Sequence, residues 1–128
     1  MSLVRALLLV AGGGAAGAVA RWGLGEMVPR DLGEFPWTTL LVNLVGCALI
    51  GICVRSIRNR ELWLLLVTGG LGGFTTFSSF AVEVRDLVAV GDAPAAVAYV
   101  VASVAGGIVA TRLGAGTPPV TPGSGAAP

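Results

Sequence analysis

The chain has 128 residues, of which 55% are hydrophobic and only 12% charged, and its mean hydropathy is +0.87. A soluble domain carries about 25% charged residues, so this composition excludes an ordinary soluble globular protein. The net charge of +1 offers no basic surface, so we expect no nucleic-acid partner. The chain has no His, no Lys and two Cys, which excludes the usual metal clusters and a His-based catalytic triad, and we expect no enzyme.

The charges leave four long uncharged windows: residues 6–20, 35–54, 62–82 and 93–111. A membrane-spanning helix needs about 20 largely apolar residues. Three windows fit directly, and the first fits when it is extended to residues 3–22, with Arg5 and Arg21 reaching the two interfaces. The sequence therefore predicts an all-α membrane protein with four transmembrane helices in residues 1–113. Residues 114–128 are rich in Gly and Pro without periodicity, and we expect a disordered tail there.

The first window contains Gly13 and Gly17, a spacing of small residues that lets two membrane helices approach closely. An alternative for this window is a cleaved signal peptide, because Arg5, the apolar run and the Ala-Val-Ala at residues 18–20 resemble one. The glycines that interrupt the run favour a packed helix over a signal peptide. Cys47 and Cys53 lie about 9 Å apart along a helix, beyond disulfide reach, and are interpreted as apolar fillers.

The third window holds four glycines between residues 69 and 73, followed by Thr75, Thr76, Ser78 and Ser79. These residues are poor helix formers, so we predict that the third helix is broken near Gly69 to Thr76, at membrane depth. Lipid offers no partners for freed N–H and C=O groups, so such backbone persists only inside protein or beside a polar cavity or ion site. This segment is the strongest functional signal in the chain.

Each of the last three predicted helices carries one narrow polar face. Helical spacing groups these side chains as Thr39 with Asn43, Thr76 with Ser79 and Glu83, and Tyr99 with Ser103. Such residues mark a pathway, although any one of them alone is equally explained as a contact between helices. No Lys or Arg lies inside the windows, so the shared hydrogen-bond donors suit a small anion or a neutral polar solute.

Phe77 and Phe80 form a stripe beside the polar face of the third helix. The edge of a phenylalanine ring carries the positive part of its quadrupole and can face an anion. Apolar packing is the alternative explanation for this stripe.

Three segments resemble the Fluc (CrcB) family of fluoride channels: residues 14–21 (Gly-Ala-Ala-Gly-Ala-Val-Ala-Arg), 39–46 (Thr-Leu-Leu-Val-Asn-Leu-Val-Gly) and 72–80 (Gly-Gly-Phe-Thr-Thr-Phe-Ser-Ser-Phe) with Glu83. The likeness extends in order over residues 3–113. It implies a passive fluoride-selective channel of a bacterial or archaeal plasma membrane that exports fluoride and relieves its toxicity. Family members assemble as antiparallel, dual-topology dimers with two pores.

The resemblance also implies roles for individual residues. Asn43 would hydrogen-bond fluoride, and Phe77 and Phe80 would form an aromatic box along the pores. The remaining residues of the implied fluoride pathway are Thr39, Ser79, Tyr99 and Ser103, with Glu83 at its polar end. Gly72 and Thr75 would offer backbone carbonyls to a central structural sodium ion at the dimer interface, and Arg21 would lie near a vestibule.

The arginines are distributed almost evenly between the two sides that four spans would define. Five of them (Arg5, Arg55, Arg58, Arg60 and Arg112) fall on one side and three (Arg21, Arg30 and Arg85) on the other. This weak bias is compatible with insertion in both orientations and hence with an antiparallel homodimer. A heterodimer with a homologous second subunit, each in a fixed orientation, is the other possibility.

The runner-up class is a small multidrug-resistance-type transporter, which also has four helices. Such a transporter couples export to protons through a carboxylate in its first span. The first window has no acid between Arg5 and Arg21, which argues against this class.

Overall fold

The structure is a computed structural model that describes residues 1–116, and every regular element within that range is helical. Four helical stretches are long and apolar enough to cross a membrane: Leu3–Met27, Trp37–Ser56, Arg60–Ala89 and Ala93–Ala115. The predicted all-α, four-span membrane fold is therefore confirmed. The last helix still includes Gly114 and Ala115, and the rest of the predicted tail, residues 117–128, lies outside the described residues.

Helix α1 spans Leu3–Met27 and α2 spans Trp37–Ser56. The third span consists of α3 (Arg60–Leu62), a π-helix (Trp63–Leu71), α4 (Gly72–Phe74) and α5 (Phe77–Ala89). Helix α6 spans Ala93–Ala115.

Side-chain caps define where four of these helices begin, with Thr76 as the cap of α5. Ser2 accepts a hydrogen bond from the backbone N–H of Arg5 at α1, and Asn59 accepts two at α3. Asp92 accepts one from Ala95 at α6, where Pro94 also lies in the first turn.

The predicted break in the third span is confirmed, and it lies at Thr75 and Thr76, at the C-terminal end of the predicted segment. Both residues have extended backbone, with ψ of 158° and 124°. The glycines from Gly69 to Gly73 remain helical, in the π-helix and α4. Their low helix propensity is overcome by packing, since Gly69, Gly70 and Gly73 lie against the backbone of α1.

Helix α1 packs along the π-helix and α4 through direct backbone contact. A Cβ atom on Gly13 would overlap the carbonyl oxygen of Leu65, and one on Gly17 would overlap the carbonyl oxygen of Gly70. The predicted close approach at Gly13 and Gly17 is thus confirmed. We call α1, α3, the π-helix and α4 the glycine-packed half.

Helices α2, α5 and α6 form the other half, which we call the polar half. Helix α2 packs along α6, and their backbones meet at Gly51 and Gly114. A small core joins α2, α5 and α6 and contains Leu40, Leu87, Ala96 and Tyr99. The break at Thr75 and Thr76 lies where the glycine-packed half ends and the polar half begins.

Candidate functional site

The broken backbone of the third span is held by one side chain from α2. Asn43 Nδ2 donates to the carbonyl oxygen of Thr76 at 3.0 Å, and the Thr76 N–H donates to Asn43 Oδ1 at 2.8 Å. The amide thus replaces both backbone partners that Thr76 loses by leaving the helix, at a depth where lipid offers none. One N–H of the Asn43 amide remains beyond this reciprocal pair.

The break also diverts the donors that would normally bind two backbone carbonyls. In a continuous helix the Thr76 N–H would donate to the Gly72 carbonyl and the Ser79 N–H to the Thr75 carbonyl. In the structure Thr76 donates to Asn43 and the Ser79 N–H donates to Thr76 Oγ1 at 3.1 Å. Gly72 and Thr75 therefore present carbonyl oxygens without their usual helical donors, which suits a hard cation bound by backbone oxygen.

Arg21 satisfies a third carbonyl at the break. Its Nε donates to the carbonyl oxygen of Gly73 at 3.2 Å, where a continuous helix would use the N–H of Phe77. The guanidinium therefore links α1 to the end of α4. The structure places Arg21 against this backbone and outside the grooves described next.

A groove with a volume of about 310 Å³, the central groove, opens beside the break. Its lining combines both predicted phenylalanines with polar groups and comprises Asn43, Cys47, Ile50, Thr75, Thr76, Phe77, Phe80, Ser103 and Val104. The Phe77 and Phe80 ring centroids are 5.7 Å apart, and Phe77 is 79% exposed. The structure thus brings Asn43, Phe77, Phe80 and Ser103 together around one space.

Ser103 carries an unused hydrogen-bonding group in this groove. Its Oγ is buried and has no hydrogen-bond partner within the described part of the chain. A buried hydroxyl without a partner is costly in free energy, so such a group is rarely kept without a function. Ser103 lines the central groove, and its hydroxyl is buried there without a competing partner among residues 1–116.

Three of the predicted pathway residues form a separate cluster, in which Thr39 and Tyr99 surround the carboxylate of Glu83. Thr39 Oγ1 donates to Glu83 Oε1 at 2.7 Å, and the Tyr99 hydroxyl donates to Glu83 Oε2 at 2.6 Å. Tyr99 is fully buried and stacks near Phe80, with ring centroids 5.2 Å apart. The donors that were expected to face an anion are thus occupied by the carboxylate of Glu83 in this conformation.

Two further grooves continue the central groove toward opposite ends of the molecule. The Thr111 groove, about 450 Å³, shares Cys47 and Ser103 with the central groove and ends at Arg112. The Glu83 groove, about 350 Å³, is lined by Arg30, Ser78, Ser79, Val82 and Glu83. Thr76 Oγ1 lies 3.3 Å from Ser78 Oγ and 3.2 Å from Ser79 Oγ, which connects the central and Glu83 grooves through hydroxyl groups. The polar groups of the three grooves, with Arg112 at one end and Arg30 and Glu83 at the other, follow one another along largely apolar walls, and we call them the polar line.

Sequence reasoning missed some residues of this line. Cys47 lines two grooves and is free, although it was expected to be only an apolar filler. Its spacing of four residues from Asn43 was a usable signal. The sequence puts Thr76 on the polar face without marking it as a site residue, and it marks Arg30 only as one of three arginines on one side of the membrane. No group of three or more His, Cys, Asp or Glu side chains suited to a metal ion occurs within residues 1–116.

Taken together, the fold and site define a class: a multi-pass helical membrane protein with a line of neutral hydrogen-bond donors and phenylalanines at a broken helix. The comparisons with known proteins agree. The model of the family described as CrcB-like protein, Camphor Resistance (CrcB), matches residues 8–115. The chain belongs to the CrcB family.

Several curated relatives carry the name fluoride-specific ion channel FluC. A protein of Rhizobium leguminosarum bv. trifolii is 47% identical over 113 residues, which cover 84% of this chain and 90% of the relative. A protein of Chloroflexus aurantiacus is 40% identical over 116 residues, covering 86% and 92%. A protein of Streptomyces coelicolor, named FluC 1, is 43% identical over 112 residues, covering 84% and 73%. These relatives are named as ion channels and not as enzymes.

Proposed function

We propose that this chain is a fluoride-specific ion channel that conducts fluoride passively across a membrane. The observation that carries the proposal is the central groove, where Asn43, the unpaired hydroxyl of Ser103 and two phenylalanine rings surround one space at the break. The multidrug-transporter alternative is not favoured, because α1 has no acidic residue between Arg5 and Arg21 and the relatives are named as fluoride channels.

The chemistry of the groove suits fluoride. This ion is small and strongly hydrated, so a pathway must replace water with several donors. Conduction also requires that each site bind weakly enough to release the ion. The central groove supplies neutral donors and ring edges and no guanidinium or ammonium. The hydroxyls of Thr39 and Tyr99 line none of the three grooves and donate to Glu83, so fluoride would reach them only if the Glu83 carboxylate moved away.

Fluoride efflux from liposomes tests this function directly. Purified protein is reconstituted into vesicles loaded with fluoride or with chloride, and release is followed with ion-selective electrodes after valinomycin is added. We expect rapid loss of fluoride and none of chloride above that of protein-free vesicles. A flat fluoride trace contradicts the proposal, and proton-coupled uptake of a drug would favour the transporter class.

We further propose that the channel is an antiparallel dimer in the plasma membrane, of two identical chains or of this chain with a homologous subunit. One chain leaves Phe77 79% exposed beside an open groove, and a second copy against this face would enclose the pathway. The near balance of arginines on the two sides supports insertion in both orientations. Single-cysteine variants at the two termini, labelled from outside intact cells, should report both orientations, whereas a single orientation favours the heterodimer.

A structural sodium ion at the dimer interface is part of this proposal. Gly72 and Thr75 would hold it through carbonyl oxygens whose helical donors are diverted to Asn43 and Thr76 Oγ1. Bound there, the ion would supply fixed positive charge without an ionisable side chain. Protein purified with N-methyl-D-glucamine in place of sodium should have a lower melting temperature, which sodium restores and potassium does not. No difference between the cations contradicts the sodium site.

In the cell, such a channel would let fluoride leave and so relieve its toxicity. A bacterial strain made sensitive to fluoride should regain growth on fluoride medium when it expresses this chain. Failure of rescue by a protein that is active in liposomes would separate the physiological role from the conduction itself.

A further inference from the structure

Arg30 is the cation that lines the Glu83 groove, and it does not come from the helix that forms the groove wall. It lies in the connection between α1 and α2, and its side chain is 24% exposed. Arg30 Nη1 donates to the carbonyl oxygen of Glu34 at 2.7 Å, and Nη2 lies 4.0 Å from Asp86 Oδ2 on α5. These two contacts fix the guanidinium at the outer end of the polar line.

Carboxylates surround this end of the groove. Glu83 lines it, Asp86 lies buried on the next turn of α5, and Asp31 and Glu34 belong to the connection beside Arg30. The carboxylates repel an anion that approaches from this side. The repulsion is strong where protein excludes water, and dissolved salt weakens it. Without a cation in the lining, the mouth would disfavour the ion that the channel conducts.

A second arginine also binds Asp86. Arg85 binds Asp86 Oδ1 at 2.7 Å, a much shorter contact than the 4.0 Å of Arg30 to the same carboxylate. The Arg85 side chain is 74% exposed and does not line the groove. Asp86 therefore positions Arg30, while Arg85 offsets part of the charge of this carboxylate.

We propose that Arg30 is the anion-capturing residue at the mouth of the Glu83 groove, where its charge offsets the surrounding carboxylates and raises the local fluoride concentration. This inference rests on the proposed function. Arg30 lies outside the uncharged windows, so it attracts the ion at the mouth without holding it inside the membrane. A cation at a charged mouth accelerates association in a way that falls steeply with ionic strength.

The test compares Arg30→Gln with wild type in fluoride-efflux assays at low fluoride concentration, where capture limits the flux. The salt is an impermeant one such as potassium isethionate. At an ionic strength of about 0.01 M, where the Debye length is about 30 Å, we expect Arg30→Gln to reduce the flux by about tenfold. At about 1 M, where the Debye length is about 3 Å, the difference should disappear.

Two control variants separate capture from a structural role. Arg85→Gln removes the same charge from the same end but outside the groove lining. Because it leaves Asp86 to Arg30 alone, we expect a smaller loss of flux at low salt than in Arg30→Gln, and none at high salt. Arg30→Lys keeps the charge and should restore most of the flux at low salt. A loss in Arg30→Gln that persists at high salt, an equal loss in Arg85→Gln, or no loss at low salt would each overturn the inference. A wild-type protein without fluoride flux would instead contradict the proposed function itself.

Discussion

The glycine-packed half and the polar half stabilise irregular backbone inside a membrane by different means. In the glycine-packed half, α1 and the π-helix approach until their backbones touch at Gly13 and Gly17, with no side chain between them. In the polar half, the interrupted backbone at Thr75 and Thr76 is satisfied by side chains, chiefly the amide of Asn43. Small residues also bring α2 and α6 together at Gly51 and Gly114, but the polar half in addition supplies a side-chain amide to the broken backbone.

This difference determines where chemistry is possible. Where the backbones touch at Gly13 and Gly17, no space remains for an ion. The polar half needs donors to satisfy the broken backbone, and the chief one, Asn43, also lines the central groove. Arg21 stays within the glycine-packed half, because it reaches from α1 to the Gly73 carbonyl at the end of α4, beside the break. We therefore expect changes in the glycine-packed half to affect folding and changes in the polar half to affect conduction.

The largest effect is expected from Gly13→Ala in the glycine-packed half. The added methyl group would overlap the Leu65 carbonyl oxygen and lie 2.9 Å from the Gly70 backbone nitrogen, and neither backbone group can move away easily. Overpacking of this kind costs about 1–3 kcal/mol or more. We expect a lower melting temperature in detergent by circular dichroism and loss of a monodisperse peak in size-exclusion chromatography.

Gly12→Ala is the matched control, because a Cβ at Gly12 meets nothing within 4 Å. The same substitution there should raise helix stability, by up to about 1 kcal/mol, since alanine is the better helix former. Equal melting temperatures for Gly12→Ala and Gly13→Ala would contradict the view that backbone contact holds this half together.

The next largest effect is expected from Phe77→Ile in the polar half. This substitution should lower the fluoride flux and leave the stability of the fold unchanged. The Phe77 side chain is 79% exposed in the single chain, so its loss should leave the melting temperature of that chain's fold nearly unchanged. If the ring edge stabilises fluoride in the groove, we expect the flux to fall by about tenfold, which corresponds to about 1.4 kcal/mol in the barrier. Fluoride efflux from liposomes measures it.

Trp22→Ile provides the comparison, since Trp22 is an aromatic residue with 64% exposure on α1 in the other half. Its flux should stay close to wild type. If Phe77→Ile and Phe80→Ile both conduct normally, the aromatic stripe serves only apolar packing, which is the alternative explanation given for it in the sequence.

The sequence predicted the spans and the polar faces because both depend on local patterns. Charge-free windows of membrane length fix the helices, and helical spacing puts Thr39 on the same face of α2 as Asn43. The position of the break was less accurate, since the glycines from Gly69 to Gly73 stay helical against α1. That packing is a long-range contact, which local propensity does not contain.

The pairing of polar residues between helices was beyond local reasoning. Glu83 accepts hydrogen bonds from Thr39 and Tyr99, which lie 44 and 16 residues away along the chain. These bonds depend on how far α2, α5 and α6 are shifted along their axes relative to one another. The spacing of hydrophobic residues in the sequence does not determine that shift. Arg30 was missed for a related reason, because a connection of mixed charge gives no sign of which side chain folds back over a groove.

The smallest effect is expected from Ser103→Ala, and it separates conduction from stability most sharply. Ser103 Oγ has no hydrogen-bond partner within the described residues, so its removal breaks no bond and the melting temperature should not fall. A hydrogen bond to an ion is worth about 1.5–3 kcal/mol. Because water or a neighbouring donor can replace the hydroxyl in the open groove, we expect the flux to fall by only about threefold. Thr39→Val is the contrasting variant: it removes a donor from Glu83 and should lower the melting temperature as well. A destabilised Ser103→Ala would mean that this hydroxyl holds helices together, and a stable variant with wild-type flux would remove Ser103 from the pathway.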